Sequence, residues 1–270
     1  MIHIGTSGYS YQDWKGQYYP EDIRDNEMLP FYAQDFRATE LNYTYYRMPA
    51  ARTLAAMAAK VPEDFVFTIK ASKELTHERD DPEAERGGGT PENFRLFREA
   101  LQPLIDEGKF GAVLAQFPNS FKPTDENRDY LEVFRERMGD LPVVVEFRNV
   151  GWITGETFEL LRKNNLGYCC VDEPRLKGLI PPIAVATASV AYVRFHGRNA
   201  QKWWRHDEAY ERYEYEYKPE ELEEWVPKID KLDSTAQNTF VFTNNHYRGA
   251  AVQTARQLRD LLEKAGERVH

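Results

Sequence analysis

The chain has almost no cysteine. Its two thiols, Cys169 and Cys170, are neighbours in an apolar run. Adjacent cysteines bridge each other poorly, and the pair matches no metal-ligand spacing. A disulfide scaffold is therefore excluded, and both read as core thiols in a reducing compartment. Long hydrophobic runs are also missing, since none approaches the roughly 20 residues that a membrane span needs. The opening Met1-Ile2-His3-Ile4-Gly5 has no basic segment followed by a long apolar one. No secretory signal is expected, and the cytoplasm is the expected location. An excess of basic residues is absent: 35 Lys and Arg face 44 Asp and Glu, for a net charge of −9. That argues against a surface coated for nucleic acid, although a local basic groove can sit on an acidic body. No internal repeat, low-complexity tract or linker divides the chain. The 270 residues are read as one domain, 1–270, long enough for a full core.

What is present is a regular alternation. Hydrophobic residues make up 41% and charged residues 29%, the balance of a folded globular protein. Short apolar runs at residues 2–5, 38–42, 65–70, 111–117, 143–147, 167–172, 191–196 and 239–244 read as buried parallel strands. Between them lie helical patterns at 28–36, 51–60, 91–106, 126–138, 155–165, 219–231 and 250–264. Thr90-Pro91-Glu92 and Thr124-Asp125-Glu126 are helix starts, and Gly108 is a helix stop. The segment 173–190, with Pro174, Pro181 and Pro182, shows no helix, so the sixth crossover is expected to be irregular. Eight strands alternating with helices predict an α/β fold, a (β/α)8 TIM barrel. An open doubly wound sheet is disfavoured, because Gly5-Thr6-Ser7-Gly8 lacks the dinucleotide fingerprint after the first strand. The polar stretch 78–89 reads as a long loop. Its Gly87-Gly88-Gly89-Thr90 lacks the Walker spacing and is better suited to a hinge.

In such barrels the site lies at the C-terminal ends of the strands. Here nearly every end is polar. Strand one leads to Tyr9 and Trp14, strand two to Glu40 and Asn42, and strand three to Lys70 and His77. Strand four ends at Gln116. Strand five delivers Glu146 and Arg148, with Trp152 soon after. Strand six delivers Asp172, strand seven Arg194, His196 and Arg198, and strand eight Asn244, Asn245 and His246. Burying such groups unpaired would cost several kcal/mol each. They must pair with one another, with water or with a ligand.

These blocks carry a resemblance. Gly5-Thr6-Ser7-Gly8-Tyr9-Ser10, Trp14-Lys15-Gly16, Thr39-Glu40-Leu41-Asn42, Lys70-Ala71-Ser72, Gln116-Phe117-Pro118, Glu146-Phe147-Arg148, Arg194-Phe195-His196-Gly197-Arg198 and Asn244-Asn245 occur in order along the chain. They resemble the signature blocks of the YecE-like family, the domain of unknown function numbered 72. The resemblance spans about residue 2 to about residue 262 and implies a (β/α)8 barrel, but no reaction.

The residue types suggest several chemistries. Glu146, Glu40, His196 and Lys70 are the candidates for acid–base catalysis. Asp172 is expected on the same face as Glu146, with Lys70 as an electrostatic partner, and Trp152 as a wall of the mouth. Substrate contacts are expected from Arg148, Arg194, Arg198, Asn42, Asn244, Asn245, His77, Trp152, Tyr9 and Trp14. The residues after strands seven and eight, Arg248 included, occupy the usual phosphate position of these barrels. No ligand set has diagnostic metal spacing, so no cofactor is expected, with a divalent metal as the weaker alternative. Trp203, Trp204 and the tyrosines at 210, 213, 215 and 217 could stack on a ring or pack their loop down. The reading that follows is an enzyme acting on a small anionic substrate, phosphorylated or carboxylated. The alternatives are a nucleic-acid-binding protein, phosphodiesterase-like or not, and a ligand sensor without chemistry. Oligomeric state is not legible.

Overall fold

The computed structural model describes residues 1–79 and 89–270. The expected loop tip and Gly87-Gly88 therefore lie outside the described residues. Eight parallel strands close into a barrel in chain order. They are β1 (Ile2–Ser7), β2 (Ala38–Leu41), β3 (Val66–Lys70), β4 (Phe110–Gln116), β5 (Val143–Glu146), β6 (Leu166–Asp172), β7 (Val190–Phe195) and β8 (Asn238–Thr243). Each lies within two residues of an apolar run of the sequence. Strand β8 pairs with β1 over five registered positions, from Ile2↔Thr239 to Thr6↔Thr243, and so closes the ring. The fold is a TIM barrel, as the alternation predicts.

Outside the barrel run α1 (Asp25–Asp35), α2 (Tyr43–Tyr46), α3 (Ala51–Ala58), α4 (Lys73–Thr76), α5 (Pro91–Asp106), α6 (Asp125–Met138), α7 (Gly155–Lys163), α8 (Pro219–Glu223), α9 (Val226–Asp233) and α10 (Ala250–Lys264). The caps act as the sequence implies. The Thr90, Thr124 and Thr154 side chains accept from backbone N–H groups three residues on, and Gly108 takes a φ of 66° past the end of α5. The helix expected over 219–231 is two helices, α8 and α9. Pro227 has no N–H to continue the ladder, so the chain breaks at Glu224 and Trp225. The crossover between β6 and β7 contains no helix, as its prolines suggest. Two helices escape periodicity: α2 and α4 are single turns at the barrel mouth, too short to show a pattern.

Period-two alternation sorts side chains into an inner and an outer set. On β7, Tyr192 and Arg194 reach into the barrel, where Tyr192 meets Thr68 of β3 at 2.8 Å. Between them in parity, Phe195 packs edge-on against Trp225 outside. One position tolerates no side chain. A Cβ on Gly5 would sit 2.0 Å from the Ala38 carbonyl oxygen, whereas one on Gly155, at the start of α7, would meet nothing within 4 Å. Gly5→Ala should therefore force β1 away from β2 and cost several kcal/mol, while Gly155→Ala should gain up to about 1 kcal/mol. Urea midpoints of the two variants check this, and equal stability would refute the packing account.

Candidate functional site

The centre of the mouth is one guanidinium shared by two carboxylates. Arg194 of β7 donates through Nη1 to Glu146 of β5 at 2.6 Å and through Nη2 to Glu40 of β2 at 2.7 Å. These strands are not neighbours, so the bonds cross the barrel interior. Glu40 also accepts from Tyr192 Oη at 2.7 Å. Glu146 gains Arg148 Nη2 at 2.7 Å and His196 Nε2 at 3.2 Å. Glu146 and Arg148 thus share a side, as their spacing on the chain implies. His196 Nδ1 lies 3.1 Å from Asn244 Nδ2, a pattern satisfied by the tautomer that donates from Nε2 and accepts at Nδ1. Both carboxylates are fully buried.

Above this lattice opens a cavity of about 400 Å³. Its wall includes Tyr9, Asn42, Lys70, Arg148, Arg194 and Asn244, all predicted site residues. Gln116, Tyr11, Tyr43, Tyr46, Tyr213 and His246 complete much of the rest. No Asp or Glu lines it among the described residues. Glu40 and Glu146 lie beneath, screened by the arginines they hold. A second cavity of about 270 Å³ abuts the first and shares Gln116, Arg148 and Tyr213 with it. His77 lines this second cavity and not the first.

The electrostatics follow from burial. Burial alone would raise the Glu146 carboxyl, but Arg148 and then Arg194 overrule it and hold it well below the usual carboxylate range. Burial, seconded by Arg148, drives His196 down to about 3, so it is neutral. Lys70 is half-buried, and desolvation aided by Arg194 brings its amine down to about 7. It forms no ion pair among the described residues. Its Nζ lies 4.5 Å from the Tyr45 ring centre. Lys70 is thus an electrostatic partner of Glu146 and Glu40 without a direct ion pair, because the arginines occupy both carboxylates. Desolvation likewise takes His77 down to about 4.

The signature blocks converge on this mouth in space. The model of the family described as "Protein of unknown function DUF72" matches residues 3–270. The chain belongs to the DUF72 family. It is 31% identical over 274 residues to the UPF0759 protein YunF of Bacillus subtilis (strain 168), covering 97% of this chain and 95% of that protein. Among solved structures, a DUF72 family protein of Thermotoga maritima MSB8 is 40% identical, with a TM-score of 0.87 and coverage of 97% of this chain and 99% of that one. A second DUF72 family protein, of Enterococcus faecalis V583, is 28% identical, with a TM-score of 0.85 and coverage of 97% and 96%.

Several predicted positions of this DUF72 chain lie elsewhere. Asp172 does not share a face with Glu146. It points outward and is held by Nε and Nη2 of Arg198, by Tyr217 Oη at 2.7 Å and by Trp225 Nε1 at 2.6 Å. Arg198 is thereby taken out of the mouth. Asn245 is buried against Tyr215 and Thr254, and Arg248 is exposed, its backbone N–H tied to Asp13. Trp14 and Trp152 are fully buried. Trp14 donates to the His246 carbonyl. Trp152 donates to the Phe121 carbonyl and stacks on Phe147 at 4.5 Å. It is a prop under the mouth rather than a wall, because the turn Val150–Trp152 folds it back.

One residue escaped the sequence reading altogether. Glu173 follows Asp172 at the end of β6, faces the second cavity and is 2% exposed. Parity held the signal, since Cys169 lies beside Glu146 and its inward set is 169, 171 and 173. Among the described residues, no group of three or more His, Cys, Asp or Glu is arranged to hold a metal ion.

Two outcomes are expected. Arg194→Met leaves two buried carboxylates short of their partner and should cost about 3–5 kcal/mol in a denaturant melt, where a near-neutral result would contradict the lattice. The His196 ring should stay neutral in NMR titration down to about pH 4. Its folded pKa is depressed, so its contribution to stability is present above the unfolded value of 6.5 and is lost as pH falls toward about 3. A ring titrating near 6.5 would contradict its burial against Arg148.

Proposed function

We propose that the DUF72 mouth is an active site for a small anionic substrate, phosphorylated or carboxylated, with Lys70 as the group that moves a proton. The observation that carries this reading is the sign of the wall. The first cavity is lined by Lys70, Arg148 and Arg194 and by no carboxylate among the described residues. An anion entering it meets positive charge in a low-dielectric recess, where such attraction is strong. Asn42 adds a buried Oδ1 with no hydrogen-bond partner among the described residues, available to a donor on the ligand.

The proton-transfer role passes from the carboxylates to the amine. Glu146 is held ionised by two guanidinium groups, and His196 is neutral and spent on Glu146 and Asn244. Both fit positioning better than proton exchange. Lys70, at about 7, is balanced between amine and ammonium near neutral pH, where a general acid–base group is most effective. It stands at the strand end from which barrel enzymes act. A compact recess supports a small molecule over a strand of nucleic acid, which would need an open basic groove.

Calorimetry with sulfate and malonate, both dianions between about pH 7 and about pH 9, tests the anion site. Both should bind, and Arg148→Gln should weaken them about tenfold, or about 1.4 kcal/mol. NMR of labelled lysine should show Lys70 titrating near 7. Because its folded pKa is depressed, its burial is destabilising below about 7, and the cost is relieved as pH rises toward 10.5. Failure of both anions to bind would remove the proposed site. A Lys70 that stays charged above about pH 9 would remove its role as a base.

A further inference from the structure

The second cavity has its own chemistry. One side is apolar and aromatic, formed by Trp203, Trp204 and Tyr213 with Leu179 and Pro118. Trp204 is 57% exposed and Trp203 only 2%, so one indole presents surface while the other props the wall. Tyr213 packs edge-on to Trp203, 6.4 Å between centroids, and lies 6.1 Å from the His196 ring. It therefore stands where the two cavities meet. Glu173 lines the same cavity. Its Oε1 accepts from the Ile180 N–H at 2.8 Å. Its buried Oε2 makes no hydrogen bond among the described residues, and Arg148 Nη1 approaches only to 3.5 Å. A buried carboxyl with one oxygen unused, facing a cavity of about 270 Å³, is costly unless something occupies that oxygen.

We propose that this cavity is a subsite for a planar ring on the same anionic ligand, a ring that carries a hydrogen-bond acceptor met by the Glu173 carboxyl. The inference rests on the anion reading of the first cavity only for the ligand's other end. Arg148 lines both compartments and spans the junction, its Nη2 on Glu146 and its Nη1 toward Glu173. A ligand with its charge at Lys70 and its ring against Trp204 would pass over this guanidinium. The ring is planar because indole and phenol faces bind flat partners best. The acceptor follows from protonation. Burial pushes the Glu173 carboxyl up to about 7, against the opposing pull of Arg148 and with the carboxylates of Glu146 and Asp172 adding to the rise; His77 and Arg212 line the same cavity. Near neutral pH a large share of Glu173 therefore carries a proton to donate. The ligand class is a small aromatic or heteroaromatic anion with a carbonyl or ring-nitrogen acceptor.

The test uses three monoanionic probes whose charge does not change with pH: methyl sulfate, phenyl sulfate and 4-acetylphenyl sulfate. Affinities come from calorimetry, with quenching of indole fluorescence as a second readout. Phenyl sulfate should bind about tenfold or more tightly than methyl sulfate, and Trp204→Ala should erase that gain. The acetyl probe should gain a further fewfold below about pH 7 and lose it above, while Glu173→Gln, which donates at any pH, should keep the gain throughout. If methyl sulfate binds and phenyl sulfate binds no more tightly, the ring subsite is overturned and the anion site stands. If methyl sulfate fails but phenyl sulfate binds in a manner dependent on Trp204, the subsite stands and the anion reading falls. If neither binds, both fall. An acetyl gain that is absent, or that does not respond to pH in the unsubstituted protein, overturns the role of Glu173.

Discussion

The guanidinium of Arg194 is the constraint on which the mouth depends. It spans the barrel interior, holding Glu146 on one side and Glu40 on the other, at 2.6 and 2.7 Å. Removing that partner would leave two buried carboxylates without the charge that compensates them. Once it is there, the rest follows in sequence. Glu146 stays ionised and takes Arg148 and His196. His196 becomes neutral and takes Asn244. Glu40 takes Tyr192, which takes Thr68. A ring of hydrophobic side chains would have filled the same volume at less desolvation cost. The chain instead spends strand ends on a network that orients charge toward solvent.

That network has a directional result. The acids lie low and the bases high, so the recess above is lined by Lys70, Arg148 and Arg194 although the protein as a whole carries −9. Among the described residues that line the recess, Lys70 is the cation without an ion pair. Both carboxylates within the lattice are already saturated by arginine, and its own burial removes the reason to stay charged. Glu173 is the mirror case on the acid side, a carboxyl one guanidinium only partly serves. Two groups with opposite charges in their ionised forms are thus both brought to about 7 on either side of Arg148. Such displaced values gather where chemistry or binding is conducted.

The sequence reading succeeded where periodicity is strong and failed where parity ends. Strand positions were legible because each is a buried parallel strand, a short apolar run with turns at both sides. Glu146, Arg148, Arg194, Lys70, Asn42 and Asn244 were legible as polar residues at the ends of such runs. Asp172 shares the outward parity of Cys170, whereas Cys169 beside Glu146 marks the inward set, which leaves the inward place to Glu173. Trp14 and Trp152 were misread because each follows a strand through a turn, and a turn erases alternation. Arg198 lies two residues after His196 but beyond Gly197, whose φ of 87° redirects the chain, so its charge went to Asp172 instead.

The sequence by itself determined the barrel. Eight apolar runs, alternating with capped amphipathic helices, leave little else that buries both faces of every strand. It also determined which ends are charged. Only the tertiary structure decided which charges meet. Arg194 is separated by 48 residues from Glu146 and by 154 from Glu40, and local spacing carries no information about contacts across a closed ring. The same holds for the protonation balance of Lys70 and Glu173. It depends on how many neighbours bury each group and how many carboxylates or guanidinium groups remain unclaimed, and both are properties of the assembled mouth.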